Sequence, residues 1–302
     1  MKTLKIKLSA GVLLASCLSV SAQDQAQEPV KGLRVNDVYV QVGGNLGMSR
    51  HGTLNEFKKL APNSDLLNKI SGDVSFYKGY NNENVSFISS VGFKIRNKEK
   101  TDYLDNLSFR VGISYLNGTS LSGYFNINET NGYDTLTSSV TGNTFYLDSV
   151  TSHSFNAKYS YDQVRLDMNV LFSTQSESRW SLYTGMGISF GMSINAETTI
   201  SYNKNEPRPF YEPSLQQSSP NYYSSTYRAE KTELYRNQTN IGASAYIPMG
   251  VDFRFGNKKE FWKHLHLFYE MRPGINYTSI PELGNQTNAF MLHSIGVRYS
   301  RS

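Results

Sequence analysis

Eight stretches of this chain alternate apolar residues with small or polar ones at a period of two, and no other feature limits its fold so severely. They are Val38 to Met48, Val85 to Arg96, Leu107 to Tyr115, Val164 to Phe172, Trp180 to Ile194, Ala243 to Phe255, Leu265 to Arg272 and Phe290 to Tyr299. Successive side chains of a strand point to opposite faces, so each stretch reads as a strand with one greasy face and one polar face. In the fifth, Trp180, Leu182, Met186, Ile188, Phe190, Met192 and Ile194 oppose Ser181, Tyr183, Gly185, Gly187, Ser189, Gly191 and Ser193.

Alternation by itself also fits a soluble β-sandwich. Three features favour a membrane barrel. The polar face is rich in Gly and Ser and carries charges of both signs. The apolar face runs about ten residues per strand, enough to cross a bilayer at a tilt. The links also alternate in length. Asn97 to Asn106, Thr174 to Arg179 and Gly256 to His264 are short, whereas Ser49 to Asn84, Asn117 to Tyr161, Asn195 to Asn240 and Tyr277 to Ala289 are mostly long. Outer-membrane barrels have short periplasmic turns and long external loops, which would put both chain ends in the periplasm. Within the long links, Ser120 to Ile127, Ser154 to Tyr159 and Thr198 to Tyr202 still alternate and are expected to extend the sheet. Phe93, Phe109, Phe172, Trp180, Phe253, Phe255, Trp262 and Tyr299 gather near the short-link ends, where interfacial aromatics belong. The expected fold is all-β: an eight-stranded antiparallel up-and-down transmembrane β-barrel with long extracellular loops. A mean hydropathy of −0.46 excludes a helical membrane protein but not such a barrel.

The N-terminus reads as an export signal. Lys2, Lys5 and Lys7 precede the apolar run Leu8 to Leu14, and Val20-Ser21-Ala22 offers a cleavage site before Gln23. Leu14-Ala15-Ser16-Cys17 also resembles a lipobox, in which Cys17 would be lipidated instead of removed. The expected organisation is a signal peptide over 1–22, a periplasmic segment over 23–36 and a barrel over 37–302. Without the three signal lysines the 30 basic residues fall to 27, against 25 acidic ones, so no basic face for nucleic acid is expected.

The Ala22-Gln23 export site, Tyr39-Val40-Gln41-Val42-Gly43, Ile247-Pro248-Met249-Gly250-Val251 and the ending Gly296-Val297-Arg298-Tyr299 carry a family resemblance. The chain resembles the outer-membrane β-barrel proteins of Bacteroidota labelled porin-family or PorT-like. Gly296-Val297-Arg298-Tyr299 also looks like the recognition pattern of outer-membrane assembly, from which the ending Ser300-Arg301-Ser302 departs by lacking a terminal aromatic. The resemblance implies an outer-membrane barrel over nearly the whole mature chain and assigns no activity; members of that family serve in secretion and surface roles.

On the polar face, Lys94, Arg96, Arg110, Arg165, Asp167, Asp252, Arg254, Glu270, Arg272 and Arg298 project toward the expected lumen. Unpaired charge there is costly, so these residues should pair into a polar plug; a gated ion path is the functional alternative. Arginine neighbours would hold Glu270 and Asp252 ionised, which argues against acid catalysis. His153-Ser154 and His293-Ser294 face opposite sides of a strand, so neither pair can form a base and its nucleophile. His266 is expected in the lumen beside Glu270. No metal spacing or cofactor motif appears, and a lipid-modifying enzyme is the remote alternative. Tyr202, Tyr211, Tyr222, Tyr223, Tyr227 and Tyr235, interleaved with Asn, Ser and Pro, read either as a surface for an extracellular ligand or as packing at the barrel mouth. Expected partners are outer-membrane lipids, with an extracellular ligand or a periplasmic or secretion partner beside them.

Overall fold

Strands that are greasy on one face and polar on the other leave open edges unless the sheet closes on itself. This sheet closes. The computed structural model describes residues 33–45, 50–70, 75–77, 85–96, 103–137, 139–142, 144–174, 178–205, 207–209, 223–225, 228–256 and 260–300. The signal with Cys17, and all but the last residues of the expected periplasmic segment, lie outside them.

In chain order the elements begin with β1 (Leu33–Asn45), β2 (Arg50–His51), α1 (Leu54–Leu60), α2 (Asp65–Asn68) and β3 (Ser75–Tyr77). Next come β4 (Val85–Arg96), β5 (Tyr103–Thr137), β6 (Thr144–Ser173) and β7 (Trp180–Asn205). After them run β8 (Pro207–Pro209), β9 (Tyr223–Ser225), β10 (Arg228–Arg236), β11 (Ile241–Tyr246) and β12 (Met249–Arg254). The last are α3 (Glu260–His264), β13 (Leu265–Ile280) and β14 (Gly284–Ser300).

Antiparallel pairing runs β1–β4–β5–β6–β7 and through the two-piece strand β11/β12 to β13 and β14. β14 then returns to β1 over Asp37↔Ser300 to Asn45↔Leu292. The result is a closed eight-stranded up-and-down antiparallel barrel. Pro248 divides the sixth strand without shifting its register: Tyr246 faces Gly274, Met249 faces Met271, and the amide of Ile247 donates to the Pro273 carbonyl at 3.0 Å.

The expected alternation fixes which side is out. Trp180 is 63% exposed and Met186 75%, with Leu182, Ile188, Phe190, Met192, Ile275, Ile295 and Val297 exposed beside them. Ser181, Ser189, Ser193, Ser294 and the charged residues on the opposite face are buried. Trp180, Phe253, Phe255, Trp262 and Phe261 form a continuous chain of ring contacts at the short-turn end.

Two expectations need correction. The first strand begins at Leu33, not Val38, because Leu33 to Val35 already pair with Ile95 to Phe93. In two of the long links the sheet extends further than the expected Ser120 to Ile127 and Ser154 to Tyr159. β5 and β6 stay paired from Leu107↔Phe172 to Thr137↔Thr144, and β13 pairs β14 down to Ile280↔Gly284.

Candidate functional site

An eight-stranded barrel is just wide enough for its own side chains to fill it, so the interior chemistry is that of the inward residues. At the short-turn end, Arg298 donates to Asp252 (Nη2 to Oδ1, 3.2 Å) and lies 4.0 Å from Asp37, while His266 Nδ1 is 2.5 Å from Asp252 Oδ1. His266 therefore sits beside Asp252 and Arg298, not beside Glu270 as expected from the sequence. One strand position spans about 3.3 Å, so residues 266 and 270 lie in different layers. Tyr39 and Phe268 meet edge to face above this cluster, with ring centroids 5.7 Å apart.

The next layer is the densest. Arg110 Nη2 donates to both oxygens of Glu270 at 2.8 and 3.0 Å, and Arg110 Nε donates to Asn169 at 3.0 Å. Arg272 donates from Nε to Glu270 at 2.5 Å and from Nη1 to Asp167 at 3.0 Å. Tyr183 donates to Glu270 at 2.9 Å and Tyr246 to Asp167 at 2.8 Å. The Arg110 guanidinium lies over Tyr39, 5.0 Å from the ring centroid, and that of Arg272 over Tyr246 at 4.8 Å. Glycines make room for these rings. A Cβ on Gly187 would stand 2.4 Å from the Tyr246 ring, and one on Gly250 2.3 Å from Tyr183. The alternation puts Tyr183 on the polar face, but only the structure makes it, with Tyr39 and Tyr246, a member of the network.

Arg165 is held differently. Its nitrogens donate to Gln163 (Nε, 2.8 Å), Asn276 (Nη1, 2.8 Å) and Ser244 (Nη1, 3.3 Å), all neutral. Of the remaining expected lumen charges, Lys94 and Arg254 are half-buried near the short-turn end, and the side chain of Arg96 lies outside the described residues.

Toward the long-hairpin end the interior turns apolar. Bulges between Thr119 and Leu121 on β5 and around Ile194 on β7 switch which parity faces inward. Below them Arg110, Ser114, Ser189 and Ser193 are buried; above them Leu121, Phe125, Ala196 and Ile200 are. This upper interior is filled by α1 and α2, which contribute Phe57, Leu60, Leu66, Leu67 and Ile70 to one cluster with Phe155, Ala157, Tyr159 and Ile280.

The helices start where the sequence allows. Thr53 and Glu56 form a capping box on α1, and the Ser64 hydroxyl caps α2 by accepting from the Leu67 amide at 3.1 Å. β10 latches them down. Asn237 donates to the Leu60 carbonyl at 2.8 Å, and the Glu233 carboxylate accepts from Ser64 at 2.7 Å, from Tyr235 at 2.9 Å and from Lys231 at 2.8 Å. Burial pushes the Glu233 carboxyl up, but the hydrogen bonds from Lys231, Ser64, Tyr235 and the Leu66 amide outweigh it and bring it from 4.5 to about 2. A folded value below the unfolded one means the latch contributes fully above pH 4.5 and is lost as pH falls toward about 2. Protease access to residues 50–70 should therefore rise across that window in the wild-type protein, and Glu233→Gln should flatten the step.

Of the six tyrosines read as a binding or packing set, Tyr202 stacks on His153 with its hydroxyl 2.6 Å from Nδ1, and the Tyr235 hydroxyl that donates to Glu233 also lies 3.2 Å from the Asn63 carbonyl. These two pack the mouth. Tyr223 lies in β9, and Tyr211, Tyr222 and Tyr227 lie outside the described residues. Ser154 bonds Tyr124 and Asn126 instead of His153, and Ser294 bonds Gln41 instead of His293. Among the described residues no group of three or more His, Cys, Asp or Glu could hold a metal ion.

No protein-family model and no curated protein matches the chain. Among solved structures it is similar to Neisserial surface protein A at 11% identity, covering 90% of this chain and 100% of that one with a TM-score of 0.28. It is also similar to Ail, the attachment invasion locus protein of Yersinia pestis, solved with the heparin analogue sucrose octasulfate. That match is 8% identical, with 89% and 100% coverage and a TM-score of 0.23. Overlap at this level assigns no family, and the barrel rests on its own strand pairing.

Proposed function

We propose that the chain is an exported outer-membrane barrel with a closed lumen, whose role is structural or interactive at the cell surface and not catalytic. The observation that carries this reading is the inversion of polarity. Aliphatic side chains ring the outside, buried ion pairs fill the inside, and an apolar cluster built on α1 and α2 stoppers the mouth. Water would not tolerate so broad an apolar exterior, whereas lipid requires it. The extended β5–β6 and β7–β10 strands then lie outside the cell, where a ligand or a secretion partner can reach them.

Three measurements test the reading. The protein should migrate in a heat-modifiable way from an outer-membrane fraction, and protease added to intact cells should cut within the long hairpins alone. In planar bilayers the wild-type protein should give no unitary conductance. A freely soluble monomer would overturn the membrane assignment, and steady channel currents would overturn the closed lumen.

A further inference from the structure

Between the paired charges and the apolar stopper lies a cavity of about 60 Å³, lined in part by Arg165, Asp167, Arg272, Asn276, Ser86 and Ser114. Its charge does not balance. Among the described residues the lumen at this depth buries Arg110, Arg165 and Arg272 against Glu270 and Asp167, leaving one positive charge in excess. The remaining buried carboxylates, Asp37 and Asp252, belong to the Arg298 cluster on the far side of the Tyr39–Phe268 pair. Arg165, 3% exposed, is the cation left over, because Glu270 and Asp167 are both engaged by Arg272. Among the described residues no carboxylate lies within ion-pair distance of Arg165, and its acceptors are two amide oxygens and a hydroxyl.

The hydrogen-bond inventory leans the same way. Arg272 Nη2 is a buried donor on the cavity wall with no acceptor among the described residues, and the hydroxyl of Ser86, on the same wall, likewise lacks a partner among them. A buried guanidinium without a counter-charge is strongly disfavoured, and an anion among surplus donors relieves both the charge and the unpaired N–H groups. The size of the cavity limits the choice. A halide and a water or two fit within it; a sugar acid or a nucleotide does not. Asn45, at the end of β1, and Asn117, within β5, line the same cavity.

The geometry points to a lumenal binding site for one chloride-sized inorganic anion, held by Arg165 on the cavity side of the Arg110–Glu270–Arg272–Asp167 network. The site is independent of any partner at the surface. It neutralises the barrel interior from within.

The test uses the full mature protein in detergent micelles. Crystals soaked in bromide should show one anomalous peak in the cavity, in contact with Arg165 or Arg272. In solution, sodium chloride should raise the apparent unfolding midpoint saturably over sodium gluconate of equal ionic strength, by about 3 °C at tenfold excess over the dissociation constant. Arg165→Gln, which keeps a hydrogen-bonding head without the charge, should abolish the difference between the two salts. Should that variant fail to fold, the wild-type experiments decide alone. Water alone in the cavity density, or equal midpoints in chloride and gluconate, overturns the proposal. So does a bromide peak without any chloride-specific shift, which marks binding at crystal concentration only.

Discussion

Replacing Glu270 by alanine is expected to lower the unfolding free energy by about 3–5 kcal/mol, the range for breaking a buried ion pair by removing one partner. Glu270 is fully buried and accepts from Arg110, Arg272 and Tyr183. Arg272 would keep Asp167, but Arg110 would keep only the neutral Asn169. Two guanidiniums, each no more than 2% exposed, would then face one another across an emptied space. The desolvation already incurred by both arginines would no longer be offset by an anion, and that term exceeds the few tenths of a kcal/mol of packing that alanine retains. Glu270→Gln keeps the shape and one acceptor, so it should lie between wild type and Glu270→Ala. Urea titration in lipid vesicles, followed by the fluorescence of Trp180 and Trp262, measures the difference. A loss below about 1 kcal/mol would match a solvated pair. It would mean that water reaches the network and that the lumen is not closed.

That network was only half legible in the sequence. Parity along each strand announced that Arg110, Arg165, Asp167, Asp252, Glu270, Arg272 and Arg298 face inward, because one face had to be lipid-like and the other could not be. Who pairs with whom was not readable. Arg110 and Glu270 stand 160 positions apart on β5 and β13, strands that are not neighbours in the wall. Their contact is made across the lumen and depends on the stagger of every strand between them. The same stagger separates His266 from Glu270 and gives it to Asp252.

The strands themselves were more legible than the links. Val85 to Arg96 has the observed bounds of β4, since its alternation stops where its pairing stops. In the hairpin β5–β6 the sequence marks Ser120 to Ile127 and Ser154 to Tyr159 as extensions of the sheet but not the continuous pairing out to Thr137↔Thr144, because the bulge at Thr119/Leu121 reverses the parity and breaks the period midway. Beyond the bulge the inward face also becomes apolar, so one template no longer describes the whole strand. The helices were missed for a different reason. Length alone marks Ser49 to Asn84 as a link, yet Thr53-Leu54-Asn55-Glu56 is a capping-box sequence, and Phe57, Leu60, Leu66, Leu67 and Ile70 follow it at helix-like spacing. That signal was present. A four-residue helix such as α2 gives too little periodicity to be found without it.

Phe57→Ala should open the mouth of the barrel while leaving the barrel itself assembled. The ring of Phe57 is fully buried and packs edge to face on Phe125 with centroids 6.1 Å apart, so truncation is expected to cost about 3–5 kcal/mol. α1 has seven residues and α2 four, lengths at which a helix has no stability of its own in water. The stopper is held by its apolar face and by the few hydrogen bonds from β10, and losing its largest fully buried aromatic removes most of what holds it. The barrel stands on different interactions. Its ring of paired strands closes through β1 and β14, and its charged layers share no residue with the cluster around Phe57. Protease added to intact cells should therefore cut within residues 50–70 of the variant and spare them in the wild type, while heat-modifiable migration stays unchanged. If the variant loses the folded band as well, stopper and barrel are one cooperative unit, and the closed mouth is part of how the barrel assembles.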